Sequence, residues 1–273
     1  MKGTCMGNGE KTLEEIKDYW EKTATGERDE KGLRPTARDP FLQELVEKAV
    51  EDRLPEGVRL LDLGCGDGLS TLRFGGRASE AVGVDFIERY VHLASRNAET
   101  AGVKNVRFRR ADVMDLAGVR GEFGLFDAAV SIRCLINLSA WENQARALGE
   151  IAACLRPDGL YLASEGWAEA MDGLNLRRRR LGLPPIETAA FNRLIPRADF
   201  ESEAGRYFQV VDYVGLGFYI FLSRVFQPAF TAPDPPRHDH PINECAARVQ
   251  TSGLGFADFA DCDYAGVYVL KRK

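Results

Sequence analysis

The chain has 273 residues, of which 45% are apolar and 28% charged, and its formal net charge is −5 at pH 7. This length and composition predict one large α/β domain or a domain with a sizeable insertion, and the acidic balance disfavours nucleic acid as a partner. Residues 1–10 carry no apolar signal region, and the longest apolar run is too short to span a bilayer, so we expect no membrane partner. The six cysteines lack C-x-x-C spacing, which disfavours a zinc ribbon or a redox pair. Together these features predict a reduced, cytoplasmic protein.

Two helices are predicted before the first strand. Residues 1–10 are expected to form a loose tail, and apolar residues at helical spacing predict a short amphipathic helix over 12–22. Asp39 followed by Pro40 is typical of a helix start, with Asp39 as the N-cap, and that helix is predicted to run to about residue 51.

The first strand leads into a glycine-rich turn. Residues 58–63 form an apolar run that predicts a buried parallel strand, and glycines follow at 64, 66 and 68 before a helix begins. Strand, glycine turn and helix in this order are typical of a nucleotide-like ligand site. The acids Asp62 and Asp67 flank the turn, so a pyrophosphate would be repelled, whereas a ligand with an ammonium and a sulfonium group would be attracted.

Polar residues end the next strands at the same predicted edge of the sheet. Asp85 lies 21 positions after Gly64, the interval at which an acid holds the two hydroxyls of a ribose. Asp112 follows a third, alternating strand, and a fourth strand ends with Ser131 and continues to Arg133. Each acid alone is equally consistent with an ordinary helix N-cap, but the ordered set favours a ligand site.

Over residues 55–165 this succession of motifs resembles the class I S-adenosylmethionine-dependent methyltransferases, whose first motif is D-x-G-x-G-x-G. The resemblance implies an α/β, Rossmann-like, doubly wound seven-stranded sheet with an antiparallel last strand, and helical and loop insertions forming a substrate cover. It also implies S-adenosylmethionine as cofactor. The residues expected to hold it are Tyr19, Arg38, Asp62, Gly64, Cys65, Gly66, Asp85, Phe86, Asp112, Val113, Ser131 and Arg133.

The resemblance gives some of these residues particular roles. Asp112 would accept from the adenine amino group, the backbone N–H of Val113 would face the ring, and Phe86 would flank the adenosine. Residues 12–38 would form a mobile lid whose candidate contacts are Tyr19, Trp20, Arg34 and Arg38, and one of the arginines would pair with the methionyl carboxylate. Packing in the core is an equally good interpretation of the two aromatic residues, and a solvated surface charge is the alternative for each arginine.

Residues 166–262 are expected to cover the acceptor and to contain strand six. Glu165 ends strand five, and a proline-rich loop contains His238, Asp239 and His240, so these four residues are the candidates for a catalytic base. For the histidine pair, an exposed loop or an adventitious metal site is an equally good interpretation. The four arginines at 177–180 favour a solvated helix face over capture of an anion, and no spacing predicts a resident metal site.

These patterns predict a single domain over 1–273, with N-terminal helices (12–54), a cofactor core (55–165), a cover (166–262) and a last strand (263–273). The predicted function is methyl transfer to a small polar metabolite, most simply at a hydroxyl oxygen, by a monomer or homodimer. The alternatives are methylation of an amine or peptide, and a non-catalytic protein that retains the fold.

Overall fold

The computed structural model describes residues 12–24, 39–253 and 257–273. The strands are β1 (Val58–Leu63), β2 (Ala78–Asp85), β3 (Val106–Arg110), β4 (Phe126–Ile132), β5 (Leu155–Ser164), β6 (Phe208–Val214) and β7 (Val267–Arg272). They form one seven-stranded sheet with the order β3-β2-β1-β4-β5-β7-β6. Strand β7 pairs antiparallel with β5 and β6, and the other neighbouring strands pair in parallel. The predicted doubly wound sheet with an antiparallel last strand is confirmed.

The helices flank the sheet on both faces. They are α1 (Leu13–Thr23), α2 (Pro40–Glu51), α3 (Leu69–Gly75), α4 (Glu88–Ala101), α5 (Ala117–Phe123), α6 (Trp141–Cys154), α7 (Ala168–Arg180), α8 (Arg197–Ala204), α9 (Gly217–Phe221), α10 (Gln227–Thr231) and α11 (Pro241–Thr251). None of the helices in the described ranges is both long and apolar enough to cross a bilayer.

Two apolar layers, one on each face of the sheet, form the core. Successive side chains of a strand point to opposite faces, so Leu60 belongs to one layer and Leu61 and Leu63 to the other, all fully buried. This is why β1 is an unbroken apolar run. Helix α2 covers the first layer, and α6 covers the second.

The predicted start of α2 is confirmed. The Asp39 carboxylate accepts a hydrogen bond from the Leu42 N–H at 3.1 Å, as an N-cap does. Between α7 and α8 the side-chain amide of Asn175 binds both backbone groups of Ile186, at 2.7 and 3.1 Å. The last strand begins at Val267 and not at the predicted residue 263.

Helices α9 and α10 are joined by a π-helical turn, Leu222–Phe226, so that 217–231 is one continuous helix. Pro228 lies just after this turn; it has no N–H to donate, and its ring disfavours the usual bond to the carbonyl of Arg224. That carbonyl accepts a hydrogen bond from the guanidinium of Arg178 instead. The π turn therefore fixes Arg224 at a wider point of the helix, a feature that the sequence analysis did not predict.

Candidate functional site

A cavity of about 520 Å³ lies at the carboxyl ends of β1, β2 and β4. Helix α1, the segment after α7 and the loop before α11 complete its walls. Its volume is typical of small-molecule sites, and its position is where open parallel sheets bind ligands.

The glycine turn after β1 forms the floor. Gly64, Gly66 and Gly68 have φ values of 70°, 52° and 78°, in the left-handed region that side chains disfavour. A Cβ on Gly64 would lie 2.9 Å from the Cβ and Sγ of Cys134, which approaches from β4. The turn can therefore be made only without a side chain at position 64, and its backbone stays open to a ligand.

Asp85 and Asp112 line the cavity beside this turn. The Asp85 carboxylate accepts hydrogen bonds from the N–H groups of Ile87 at 2.8 Å and Gly66 at 2.9 Å, which fix its orientation. Burial raises its pKa to about 6, although these hydrogen bonds act in the opposite direction. Two bonds leave acceptor positions on a carboxylate, so Asp85 can still accept from ligand hydroxyls.

Next to Asp85, Phe86 exposes 42% of its surface and also lines the cavity. The Lys17 amine and the Arg110 guanidinium lie 5.5 and 5.9 Å from its ring centroid. These cations hold one apolar ring at the mouth of the cavity, a suitable surface for a flat heterocycle.

The opposite wall contains a buried ionic cluster formed by Asp39, Tyr219, Arg224 and His238. The Tyr219 hydroxyl donates to both carboxylate oxygens of Asp39, at 2.8 and 2.9 Å, and Arg224 donates to the second of them. Burial alone would raise the pKa of Asp39, but the Arg224 charge and the hydrogen bonds lower it below its usual value. Asp39 is therefore a carboxylate, and His238 Nδ1 lies 3.8 Å from its Oδ2.

Comparison with known proteins finds a methyltransferase domain in the core of the chain. The family model described as "Methyltransferase domain" matches residues 60–159. The chain is 31% identical to the uncharacterized methyltransferase YcgJ of Bacillus subtilis over 110 residues, 40% of this chain and 41% of that protein. It is 33% identical to a ubiquinone biosynthesis O-methyltransferase of Cereibacter sphaeroides over 140 residues, 48% and 52% of the two chains.

The fold agrees with that match. The N-methyltransferase NodS of Bradyrhizobium japonicum, solved with S-adenosyl-L-homocysteine, superposes with a TM-score of 0.56 at 12% identity, covering 94% of this chain and 98% of NodS. At that identity the likeness concerns the fold alone. Residues 60–159 therefore contain a methyltransferase domain, and the sheet has the fold of the class I S-adenosylmethionine-dependent methyltransferases. The chain spans about two fifths to half the length of the two curated relatives, and the matched part is the predicted cofactor core.

Eight of the predicted cofactor residues line the cavity: Tyr19, Gly64, Gly66, Asp85, Phe86, Asp112, Val113 and Arg133. The Nη2 of Arg133 donates to the Gln43 side chain at 2.9 Å. Arg38 lies outside the described residues. The residues that line the cavity remain predictions as ligand contacts.

Three predicted cofactor residues are instead buried beneath the cavity. Asp62 is 3% exposed and accepts from the Thr71 hydroxyl at 2.5 Å, which ties β1 to α3; burial raises its pKa to about 7. Cys65 is buried, with its N–H bonded to the Val84 carbonyl at 3.0 Å. Ser131 donates to Glu165 at 2.7 Å. These residues shape the turn and the strand ends, and they do not line the cavity.

Glu165 is buried beneath the loop after β4. It is 1% exposed, and it accepts from Ser131 and from the N–H groups of Cys134 and Ile136, at 3.3 and 3.2 Å. Burial raises its pKa to about 7. These contacts hold the loop from below and do not support the predicted role of Glu165 as a base, which stays a prediction.

The two histidines of the 232–240 loop have different environments. His238 lines the cavity, whereas His240 Nδ1 accepts from the Ile242 N–H at 3.1 Å and caps α11. His240 is not among the described residues that line the cavity, so the structure does not support it as a base and that role stays a prediction.

Sequence analysis missed several residues of the cavity wall. Arg224 and Tyr264 come from the π turn and the segment before β7, and Phe191 stacks on Tyr19 with ring centroids 4.3 Å apart. No local pattern marks them, because they meet only through the folding of the cover. The described residues contain no group of histidine, cysteine and acidic side chains that could hold a metal ion.

Proposed function

We propose that the protein transfers a methyl group from S-adenosylmethionine to a hydroxyl oxygen of a small polar acceptor. The observation that carries this proposal is the composition of one cavity: the glycine turn, Asp85 and Asp112 lie on one side, and His238 lies on the other. A methyl donor and a base for the acceptor would therefore face each other across the same space.

The residues at the first side fit the cofactor. Asp85 would accept from the ribose hydroxyls, Asp112 and the N–H of Val113 would bind the adenine edge, and Phe86 would cover the ring. The open backbone at Gly64 leaves room for the methionyl chain. When bound, the cofactor supplies a methyl group on a sulfonium leaving group, so alignment of the acceptor provides much of the acceleration.

His238 is the proposed base. A hydroxyl must lose its proton as the new bond forms, and a neutral imidazole that lines the cavity can accept it. The resulting imidazolium would be stabilised by the Asp39 carboxylate, whose separation of 3.8 Å from Nδ1 is an ion-pair distance. Asp39 keeps its charge because Arg224 and Tyr219 stabilise it.

Methylation of an amine is the second candidate, because a neutral amine needs no base in the reaction step. A protein that binds the cofactor without catalysis is the third. The N-methyltransferase NodS and the O-methyltransferase of Cereibacter share features with this chain, so the likeness alone favours neither atom.

The test compares His238→Ala with His240→Ala, two substitutions in one loop. Methyl transfer from labelled S-adenosylmethionine is followed with a metabolite extract of the native organism and then with the purified acceptor. We expect His238→Ala to lower turnover about 10²–10⁴-fold with unchanged affinity for S-adenosylhomocysteine. His240→Ala should retain turnover and lose about 0.5–2 kcal/mol of stability through its cap.

Full turnover by His238→Ala on the acceptor would remove the base and favour amine methylation. A wild-type protein that binds S-adenosylhomocysteine but transfers no methyl group to any component of the extract would favour the non-catalytic alternative.

A further inference from the structure

We propose that Arg224 forms a subsite for a carboxylate group of the methyl acceptor, so that the acceptor is a small hydroxy acid. This inference rests on the proposed function, since it names the class of acceptor that the same cavity would take.

The guanidinium of Arg224 retains unused donors at the cavity wall. Its side chain is 14% exposed, and it lines the cavity. Within the described part of the chain, its side chain donates one hydrogen bond, to Asp39, out of the five N–H groups that an arginine carries. No atom of Arg224 is among the buried polar side-chain atoms of the described residues that lack a partner.

Asp39 orients this arginine and is itself engaged by three donors. Its Oδ1 accepts from the Leu42 N–H, its Oδ2 accepts from Arg224, and the single Tyr219 hydroxyl proton is shared between the two oxygens. These donors occupy most of the acceptor positions of the carboxylate. The pair therefore presents the arginine, and not the acid, to an incoming group.

The balance of charge differs between the two ends of the cavity. Arg224 and Arg133 line one end, and the guanidinium of Arg178 lies behind Arg224 with a hydrogen bond to its carbonyl. Asp39 offsets one of these three cations, whereas the other end contains Asp85 and Asp112 together with Lys17, whose amine lies 5.5 Å from the Phe86 ring centroid. A carboxylate would be attracted to the arginine end, where the cations outnumber the acid, and this attraction orients the acceptor with respect to His238.

The position of the guanidinium is fixed by the backbone as well as by Asp39. Arg224 lies in the π turn, and Pro228 leaves its carbonyl to Arg178. A planar, pre-oriented guanidinium is suited to a planar carboxylate, which it binds through two parallel hydrogen bonds.

The cofactor also carries a carboxylate, so the experiment must separate the two sources. Wild type, Arg224→Gln, Arg224→Lys and the control Arg248→Gln, whose arginine is 79% exposed, are titrated with S-adenosylhomocysteine and with 5′-methylthioadenosine, which lacks the amino-acid end. The proposal expects all four proteins to bind S-adenosylhomocysteine within twofold of one another. A weakening in Arg224→Gln that is confined to S-adenosylhomocysteine would assign Arg224 to the cofactor and overturn the proposal.

The second arm uses matched pairs of probes on proteins saturated with S-adenosylhomocysteine: 4-hydroxybenzoate with 4-hydroxybenzamide, and lactate with lactamide. Each acid and its amide have the same shape and differ in charge. We expect wild type and Arg248→Gln to prefer the acid of at least one pair about tenfold or more, Arg224→Gln to lose the preference, and Arg224→Lys to keep part of it. No preference in wild type, or the same preference in Arg224→Gln, would overturn the subsite.

The preference is a ratio measured on one protein, so a general loss of stability does not imitate it. Failure of the proposed function is recognised separately: if His238→Ala retains turnover while Arg224→Gln loses the preference for acids, the base is wrong and the subsite stands.

Discussion

The two ends of the cavity are built from the chain in different ways. The end with Asp85 and Asp112 is formed by residues 64–113, from the carboxyl ends of adjacent parallel strands. The end with Arg224 joins residues far apart in the chain: Asp39 is 185 positions from Arg224 and 180 from Tyr219. The first end follows from the order of the strands, whereas the second exists only after the connections have folded over the sheet.

The same contrast holds for the energetics. At the strand end, backbone N–H groups position the Asp85 carboxylate, so its geometry depends little on neighbouring side chains. At the cover end, side chains position one another, as Tyr219 and Arg224 do with Asp39. Substitutions at the strand end should therefore affect cofactor affinity directly, and those at the cover should act on the acceptor or on closure.

The largest effect on cofactor affinity is expected for substitution of Asp85, at the strand end of the cavity. Asp85→Asn should weaken S-adenosylhomocysteine binding about 100-fold, because two hydrogen bonds to a charged acceptor contribute about 1.5–3 kcal/mol each before compensation by water. Calorimetric titration measures this, with Asp52→Asn on the surface as the control. An unchanged dissociation constant would show that the strand end is not the ribose site.

The pKa of Asp85 gives that test a pH dependence. Since its pKa is raised to about 6, the carboxylate is progressively protonated below pH 6 and loses an acceptor position. Wild-type affinity should fall about tenfold between pH 7 and pH 5, whereas the affinity of Asp85→Asn should stay nearly flat.

A smaller effect is expected for Glu165, which supports the loop between the two ends. Its pKa is raised from 4.5 to about 7, so the folded state holds its proton more tightly than the unfolded state. The stability that Glu165 contributes is fully present below about pH 4.5 and is lost as the pH rises to about 7. Over this window wild type should lose up to about 3 kcal/mol relative to Glu165→Gln.

Denaturant unfolding of both proteins between pH 4.5 and 8 measures this difference. Burial also raises the pKa of Asp62, so the stability of both proteins depends on pH through that residue. The difference between wild type and Glu165→Gln removes this shared contribution. Parallel curves would mean that Glu165 does not titrate in the folded protein.

The smallest effect is expected for Trp20 in helix α1, which packs against the cover. Its indole Nε1 donates to the Asn137 side chain at 3.1 Å, and its ring packs on Phe191 with centroids 5.4 Å apart. Trp20→Phe removes the hydrogen bond and keeps an aromatic ring, a loss of about 0.5–1.5 kcal/mol. Amides of α1 should exchange about two- to tenfold faster, with the amides of α2 as the internal reference.

If α1 belongs to a lid, S-adenosylhomocysteine should slow this exchange in both proteins. The lid was predicted over residues 12–38, of which 25–38 lie outside the described residues. Equal exchange with and without ligand would leave α1 as a fixed wall of the cavity.

Sequence analysis was effective where a role depends on position along a strand. The apolar run at 58–63, the glycines at 64 and 66 and the acid at 85 each predict their place, because the carboxyl ends of parallel strands meet at one edge. It was less effective where burial decides a role. Asp62, Ser131 and Glu165 lie at the ends of strands as expected, yet their side chains are turned into the protein and hold other elements. The one-dimensional pattern does not distinguish an acid above the edge from one below it.

The sequence by itself therefore determined the class of the sheet and the end of the cavity that would hold the cofactor, since the alternation of strands and helices and the conformation of glycines leave local signals in the sequence. The tertiary structure alone decided which histidine lines the cavity and which caps a helix, although only Asp239 separates them. It also decided that Arg224, Asp39 and Tyr219 meet. Their contacts depend on how α2 and the α9–α10 helix pack over the sheet edge, and packing between elements distant in the chain leaves no periodic signal in the sequence.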